Sequence, residues 1–263
     1  MQPLLKLVFI TQDDPFYVRI FFEEFVRVSD RRDGNMTVVV APAMGKKSIA
    51  ALLRQMYDFY GTWNFLRVGI RYILYRLAAR LPARGGRFFS VEQVCRYYGV
   101  RVMHASDINA PEFLRQMAQW DPDLIVSVAA PQVFREGLIG LPRRGCINIH
   151  NSKLPKYRGM LPNFWQMFHG EKMVGTTIHR INASIDDGDI LLQMETRIEA
   201  GESLDALMRR TKKLGARLMI EALRLLKTGD IPAMRNRKED ATYFAFPTRR
   251  DVDEFRRRGY RLL

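Results

Sequence analysis

The sequence predicts an α/β protein built on a mostly parallel sheet. Short runs of β-branched and other apolar residues alternate along the chain with segments whose apolar residues recur at helical spacing. The first such unit consists of the run LLKLVFI (4–10), the helical segment 14–30 and the run MTVVVAP (36–42). A strand–helix–strand alternation of this kind is typical of a parallel sheet.

The later helices are marked by capping residues. Ser90 stands where an N-cap residue is expected and Gly99 where a helix would end, which predicts a helix between them. The segment 111–123 is helical up to its Asp-Pro pair, and one long helix is expected from Ser203 to about Lys227, closed by Gly229.

The later strands are short apolar or alternating runs. A buried strand reads as a continuous apolar run, whereas a half-buried strand alternates between apolar and polar residues. Both kinds occur in the second half of the chain, at 124–129, 145–150, 174–181 and 189–198. Together with the first two runs they complete the predicted sheet.

Residues 45 to 87 interrupt this alternation and are predicted to be a helical insertion. Its arginines stand at mostly helical spacing against Ile, Leu and Tyr: Arg67, Arg71, Arg76, Arg80 and Arg84. Such a segment suits a membrane surface or a phosphate-rich site. An amphipathic helix that packs on the sheet and keeps its arginines in water is the alternative.

The formal net charge of +14 at pH 7 is the most unusual feature of the composition. A basic protein attracts phosphates, whether on nucleic acid, on a nucleotide-linked metabolite or at a membrane surface. Charge runs are more commonly solvated helix faces, so charge alone does not choose among these partners.

The remaining composition favours a cytoplasmic globular protein. Cys95 and Cys146 are far apart and form no C-x-x-C pair, so neither a disulfide framework nor a metal site is expected. The first apolar run is too short for a signal peptide. No apolar run approaches the length of about 18 residues that a membrane span requires, and no transmembrane segment is predicted.

Two clusters of polar residues stand at strand ends. Asn148 and His150 are two residues apart, so on a strand they share a face, at the carboxyl end where open parallel sheets bind ligands. His179 ends a later strand, and three aspartates surround Gly188 in the segment 185–189. The acidic spacing does not match an EF-hand and is too compact to hold Ca²⁺ alone, so no metal is expected.

Four ordered motifs resemble the formyltransferase family that uses 10-formyltetrahydrofolate and that includes methionyl-tRNA and glycinamide ribonucleotide formyltransferases. They are NIH (148–150), SKLPKYRG (152–159), GTTIHRI (175–181) and IDDGDILLQ (185–193). The resemblance covers about residues 90–200 and is weaker before them, where TQDDPFY replaces the glycine-containing first loop of the family. It implies a Rossmann-like formyltransferase fold with helices on both faces of the sheet. By the same resemblance, residues 1–200 form the catalytic domain and 201–263 a C-terminal helix with a short extension.

By this resemblance the catalytic residues are Asn148, His150 and Asp186. When an amine attacks the formyl carbon, an oxyanion forms, and an Asn amide can donate to that oxygen. A His can stabilise the same charge or move a proton. A carboxylate close to both can orient the imidazole, raise its pKa and accept the proton of the amine through a water.

The resemblance also implies contacts with both substrates. The 10-formyltetrahydrofolate co-substrate is expected in a cleft between two loops, in contact with Gln132, Val133, Phe134, Ala183, Ser184 and Ile185. The acceptor is expected to contact Tyr157, Arg158, Trp165 and His179.

The acceptor that this resemblance favours is the amino group of a nucleotide-linked amino sugar. The stretch 157–179 and the tail ATYFAFPTRRDVDEFRRRGYRL resemble sugar N-formyltransferases. Methionyl-tRNA is an alternative that the positive charge suits, although the residues after the long helix are too few for the RNA-binding barrel of those enzymes. Hydroxyornithine and glycinamide ribonucleotide are further small-amine alternatives.

Two other possibilities concern the whole chain. A non-enzymatic protein with this fold could bind nucleic acid or a membrane through its basic surface. The apolar C-terminal region next to a strand would suit a homodimer.

Overall fold

The computed structural model describes residues 5–29, 34–42, 48–83 and 85–263 of the chain. Some sequence predictions fall on residues outside these ranges, namely Leu4 of the first strand, Asp30 of the first helix, and residues 45–47 and Arg84 of the predicted insertion.

The main sheet is formed by β1 (Leu5–Gln12), β2 (Gly34–Ala41), β3 (Arg101–His104), β4 (Leu124–Val128), β5 (Cys146–His150), β7 (Met173–Arg180) and β8 (Ile190–Arg197). Within the described residues its order is β3-β2-β1-β4-β5-β7-β8. The pairs from β3 to β5 are parallel, whereas β5–β7 and β7–β8 are antiparallel. The predicted α/β class and mostly parallel sheet are confirmed.

The helices are α1 (Val18–Val28), α2 (Ile49–Tyr60), α3 (Thr62–Ala78), α4 (Val91–Tyr97), α5 (Pro111–Trp120), α6 (Glu136–Ile139), α7 (Pro162–Phe168), α8 (Leu204–Thr228) and α9 (Arg249–Arg257). The N-cap predicted for α4 is confirmed, and so is the start of α8 at Ser203. Ser90 Oγ accepts the Gln93 amide at 3.0 Å, and Ser203 Oγ accepts the Ala206 amide at 3.3 Å. Each cap satisfies an amide that the helix itself leaves unpaired.

Both faces of the sheet are covered, because alternate residues of each strand point to opposite sides. On one side, Phe9, Val126 and Ile149 pack in a core with residues of α1, α4 and α8. On the other side, Ile10 and Ile125 pack with residues of α5 and α6. The alternation places Asn148 and His150 on the second side, away from Ile147 and Ile149.

A third apolar cluster attaches the C-terminal extension. The rings of Phe164 on α7 and Phe255 on α9 are stacked with their centroids 4.6 Å apart, and Phe59 on α2 lies 6.0 Å from Phe164. A short parallel pair, β6 (Arg158–Gly159) with β9 (Tyr243–Phe244), adds backbone hydrogen bonds. The extension therefore packs directly on the segment that follows β5.

Helix α3 directs Arg71 and Arg76 toward the rest of the protein and its aliphatic residues outward. Arg76 forms an ion pair with Asp13 at 2.6 Å, and Arg71 lies 3.7 Å from Asp205 with its guanidinium over the Phe16 ring. No residue of α3 is buried, so the expectation that its apolar side packs on the sheet is wrong, whereas Arg67 is exposed as that alternative expected. Other helices already cover both faces of the sheet, and the carboxylates at the protein surface attract the guanidinium groups instead.

Within the described ranges, none of the helices combines the length and the apolar content that crossing a bilayer requires.

Candidate active site

Four polar side chains converge above β5 and β7. The register pairs Asn148 with His179, and the loop between β7 and β8 brings Asp186 over the same face. Asn148 Nδ2 lies 3.1 Å from His179 Nε2 and 3.4 Å from Asp186 Oδ1. His150 Nδ1 lies 3.5 Å from Asp186 Oδ2. The structure thus brings the three predicted catalytic residues together and adds His179 to them.

The hydrogen bonds of the two histidines determine which ring nitrogens face the site. A carbonyl can only accept, so His150 Nε2 carries the hydrogen that it donates to the Tyr157 carbonyl at 2.8 Å. His179 Nδ1 likewise donates to the Arg180 carbonyl at 2.7 Å. In the neutral rings, His179 Nε2 accepts from the Asn148 amide, and His150 Nδ1 carries no hydrogen and lies 3.5 Å from Asp186 Oδ2.

Burial lowers the pKa of His150, because an imidazolium cation loses hydration in the interior. The Asp186 carboxylate and the Tyr157 carbonyl act in the opposite direction, and the charges of His179 and Lys212 act in the same direction as burial. The net effect is a pKa below the ordinary 6.5. His150 is consequently neutral at pH 7 and able to accept a proton at Nδ1.

The Asp186 carboxyl is held in its ionised form. Burial alone would raise its pKa, but the neighbouring His150 and His179 and the Gly159 amide outweigh burial and hold the pKa well below its usual value. The Gly159 N–H donates to Asp186 Oδ2 at 2.9 Å. The backbone of Asp186 is left-handed, with a φ of 51°, a conformation that Asp tolerates better than most residues.

A buried network holds the acidic loop in place. Arg158 donates to Asp187 Oδ1 at 2.5 Å and to Asn236 Oδ1 at 2.8 Å. The Asn236 amide in turn donates to the Asp186 carbonyl at 2.9 Å. At Gly188 a Cβ atom would lie 1.9 Å from the Arg180 carbonyl oxygen, so only glycine fits there. Arg158 was predicted to contact the acceptor; that role stays a prediction, and its visible contacts are with this loop.

Tyr157 and Trp165, also predicted to contact the acceptor, are packed inside the third apolar cluster. The Tyr157 hydroxyl donates to Glu171 at 2.7 Å, and the Trp165 indole donates to the Ala245 carbonyl at 3.0 Å. Both rings stack on Phe244. Contact with an acceptor stays a prediction for both residues, and their packing joins the site to the C-terminal extension.

The residues predicted to bind folate lie on two loops. Gln132 accepts the Ile108 amide at 2.9 Å and donates to the Ser106 carbonyl at 2.8 Å, which fixes the loop after β4. Val133 is exposed on this loop, whereas Phe134 is buried in the core. Ala183, Ser184 and Ile185 are exposed on the acidic loop. Their contact with folate stays a prediction.

Sequence reasoning missed Lys212 and Asn236. Lys212 on α8 is buried, and it forms no hydrogen bond or ion pair with any residue that the structure describes. Burial lowers its pKa, while Asp14 raises it. A lysine in the apolar stripe that contains Met208, Gly215 and Met219 was the available signal. Asn236 lies in a polar stretch that gave no signal.

A protein-family model described as "Formyl transferase" matches residues 83–223, which is more than half of the chain. The chain belongs to the formyl transferase family. The match includes β5, β7 and the loop that carries Asp186, so the site described above lies within the family domain.

Curated relatives of this family member include methionyl-tRNA formyltransferases. The protein from Caldanaerobacter subterraneus is 36% identical over 157 residues, which are 59% of this chain and 51% of the relative. The protein from Syntrophus aciditrophicus is 41% identical over 144 residues, 55% of this chain and 46% of the relative. The chain spans about half the length of the curated relatives it matches.

Solved structures of similar fold include two N-formyltransferases and a glycinamide ribonucleotide transformylase. A sugar N-formyltransferase from a Shewanella species has a TM-score of 0.58 at 18% identity, covering 92% of this chain and 76% of that chain. Glycinamide ribonucleotide transformylase 1 from Symbiobacterium toebii has a TM-score of 0.56 at 18% identity, covering 86% of this chain and 88% of that chain. An N-formyltransferase from Helicobacter canadensis, solved with folinic acid and dTDP-3-aminofucose, has a TM-score of 0.58 at 15% identity. The match covers 92% of this chain and 71% of that chain. These similarities show the fold.

Proposed function

We propose that this protein transfers a formyl group from 10-formyltetrahydrofolate to a primary amine. The observation that carries the proposal is the convergence of the Asn148 amide, the neutral His150 imidazole and the ionised Asp186 carboxylate. The folate supplies the reactive formyl carbon, bound to its nitrogen N10. The protein supplies a hydrogen-bond donor for the formyl oxygen and an acceptor for the proton of the amine.

Each of the three residues acts on a different part of this transfer. Asn148 Nδ2 donates to the formyl oxygen, whose negative charge grows as the amine nitrogen bonds to the formyl carbon. His150 Nδ1 takes the proton that the amine loses, and this proton passes to N10 as the bond between N10 and the formyl carbon breaks. Asp186 stabilises the transient imidazolium through their 3.5 Å contact.

The two loops next to Asp186 fit a folate. Val133 and Ile185 are exposed apolar residues, one on each loop. A flat heteroaromatic ring gains by removing such side chains from water, while unpaired backbone groups can bind its polar edge. We infer that the pterin lies between these loops, with the formyl group directed at Asn148.

A nucleotide-linked amino sugar is the acceptor we propose. The stretch 157–179 and the C-terminal extension resemble sugar N-formyltransferases, and the Helicobacter canadensis neighbour binds a dTDP-linked amino sugar. Lys212 supports an anionic ligand, because a buried lysine without a partner in the described structure is stabilised by a phosphate. We place the reaction in the cytoplasm, in keeping with the free buried thiols of Cys95 and Cys146.

Methionyl-tRNA is the second candidate acceptor. The curated relatives named above are methionyl-tRNA formyltransferases and are at least 36% identical in the matched part. The net charge of +14 also suits a polyanion. The chain spans only about half of those relatives, so the similarity does not extend to the rest of their length.

The test is to mix the protein with 10-formyltetrahydrofolate and one acceptor at a time, and to follow the release of tetrahydrofolate. Turnover with a dTDP- or UDP-linked amino sugar is the expected result. Turnover with methionyl-tRNA alone would identify methionyl-tRNA as the acceptor instead. An absence of turnover with every amine, alongside salt-sensitive binding to RNA, would contradict formyl transfer and favour a nucleic-acid-binding protein.

A further inference from the structure

Helix α3 carries a continuous apolar stripe that faces away from the protein. Its members recur at helical spacing and are 50–84% exposed: Trp63, Leu66, Ile70, Ile73, Leu74 and Leu77. A stripe at this spacing normally faces a core. Here no residue of α3 is buried, and the neighbouring helix α2 leaves a shorter apolar row exposed at Ile49, Leu53 and Tyr57.

The opposite side of α3 fixes this orientation. Arg71 and Arg76 form ion pairs with Asp205 and Asp13. The Tyr75 ring lies 5.7 Å from Phe16 and 5.2 Å from Phe89. These contacts hold the polar and aromatic side of the helix on the protein, so the outward direction of the aliphatic side chains is built into the packing.

The charge around the stripe is strongly positive. Residues 48–83 contain five arginines and one carboxylate, Asp58. Arg54, Arg67 and Arg80 are exposed and form no ion pair with any described residue. Three guanidinium groups are therefore available to a negatively charged partner next to the apolar side chains.

We propose that helices α2 and α3 form a docking surface for an anionic phospholipid membrane. A helix that lies in a membrane interface has an apolar face with Trp and Leu, and basic residues that meet the lipid phosphates. Trp63, at one end of the stripe, is the residue type that favours the headgroup region. The proposal concerns this surface and is independent of the formyl transfer proposed above.

A second copy of the chain fits this surface less well. A symmetric dimer places the same patch of both copies in contact. The arginines around the stripe would then face the same arginines of the other copy, with one carboxylate in residues 48–83 to offset them. Anionic lipid headgroups supply the opposite charge instead.

The test is sedimentation of the full chain with vesicles of phosphatidylcholine, with and without phosphatidylglycerol. Binding is expected with the mixed vesicles. The double variant Ile70→Asp, Leu74→Asp should lower the partition coefficient about tenfold or more, because charged groups enter the apolar region. Arg67→Gln with Arg80→Gln should weaken binding to the mixed vesicles about tenfold.

The control pair Met173→Asp, Leu225→Asp makes the same charge change at exposed apolar residues outside α2 and α3. It should stay within about twofold of the unchanged protein, since a shift in net charge alone acts weakly. Circular dichroism of each variant checks the fold. Failure to sediment with the mixed vesicles would overturn the proposal, as would equal binding by the Ile70, Leu74 variant. A dimer in solution that this variant dissociates would assign the surface to a second copy.

Discussion

Asn148 is the proposed donor to the formyl oxygen, and its hydrogen bonds bear on that role. Its amide nitrogen has two hydrogens, one directed at His179 and the other at Asp186 through a long 3.4 Å contact. The long contact is the weaker of the two and can give way to a formyl oxygen. The bond to His179 meanwhile fixes the orientation of the amide.

Replacement of Asn148 by Ala should lower kcat by about 10²–10³ while KM changes little, because the amide is needed most when charge develops on the oxygen. Steady-state kinetics of tetrahydrofolate release measures both constants. Asn64→Ala on α3 is the matched control and should keep normal turnover. A kcat for Asn148→Ala close to that of the control would remove the amide from the mechanism.

His150 should titrate below 6.5 in the folded protein, and the nuclear magnetic resonance signals of its ring report that pKa directly. Because the Asp186 carboxylate raises the pKa of His150, Asp186→Asn should lower it further. An upward shift of the His150 pKa in this variant would contradict the interaction between His150 and the Asp186 carboxylate.

The depressed pKa values of His150 and Asp186 make the stability of the folded state fall in acid. The pKa of His150 is lower in the folded than in the unfolded chain, so the unfolded chain binds the proton first and stability falls as the pH drops below 6.5. The pKa of Asp186 is also depressed, so its contribution is present above the ordinary value of 3.8 and is lost as the pH falls below that value. Both effects therefore favour the folded state at neutral pH.

At the scale of elements, the loop between β7 and β8 is positioned by the segment that follows β5. Arg158 of β6 reaches Asp187 and Asn236, and the Gly159 amide next to it reaches Asp186. Two stretches that are distant in sequence thus fix the carboxylate above the strand that carries His150. Lys238 adds an ion pair with Asp187 at 3.4 Å, whereas Ala183 to Ile185 are exposed.

The ion pair between Arg158 and Asp187 provides a test of this support. Arg158→Met should lower the free energy of unfolding by about 3–5 kcal/mol, because it leaves a buried carboxylate without its main partner. Adding Asp187→Leu should restore much of this loss, and urea denaturation of the two single variants and the double variant measures the coupling. If Arg158→Met raised KM for the acceptor without any loss of stability, Arg158 would be a substrate contact instead.

At the scale of the whole molecule, three apolar clusters stabilise different parts of the protein. Two of them cover the faces of the sheet, and the third joins α2, α7, α8 and α9 around Phe164 and Phe255. The third cluster includes Tyr157, so the C-terminal extension and the segment that follows β5 share one packing unit. The parallel pair of β6 and β9 adds to this connection.

Loss of Phe255 should therefore affect more than the extension. Phe255→Ala is expected to lower the free energy of unfolding by about 3–5 kcal/mol, since the ring is fully buried and stacked on Phe164. Unfolding in urea should remain a single transition, followed by both fluorescence and circular dichroism. Tyr243→Ala, at an exposed position on β9, is the control and should change stability little. A separate early transition for the C-terminal residues would show that the extension folds independently.

Much of the fold follows from local sequence patterns. The alternation of apolar runs predicts the strands, and Ser90 and Ser203 predict the helix starts, because these signals depend on neighbours within a few residues. The period of two also predicts that Asn148 and His150 share a face. The order of the strands, and the reversal of direction at β7, depend on pairing between distant segments and carry no local signal.

The residue types of the site were determined by the sequence, and the motif that ends β5 together with the IDDGD loop predicted its main members. Only the tertiary structure decided that His179 contacts both Asn148 and Asp186, that Arg158 supports the acidic loop, and that Lys212 is buried. It also decided that α3 presents its aliphatic side outward. The physical reason is the same in each case: the direction of a side chain depends on which distant carboxylates and apolar surfaces remain unpaired once the sheet and its covering helices have packed.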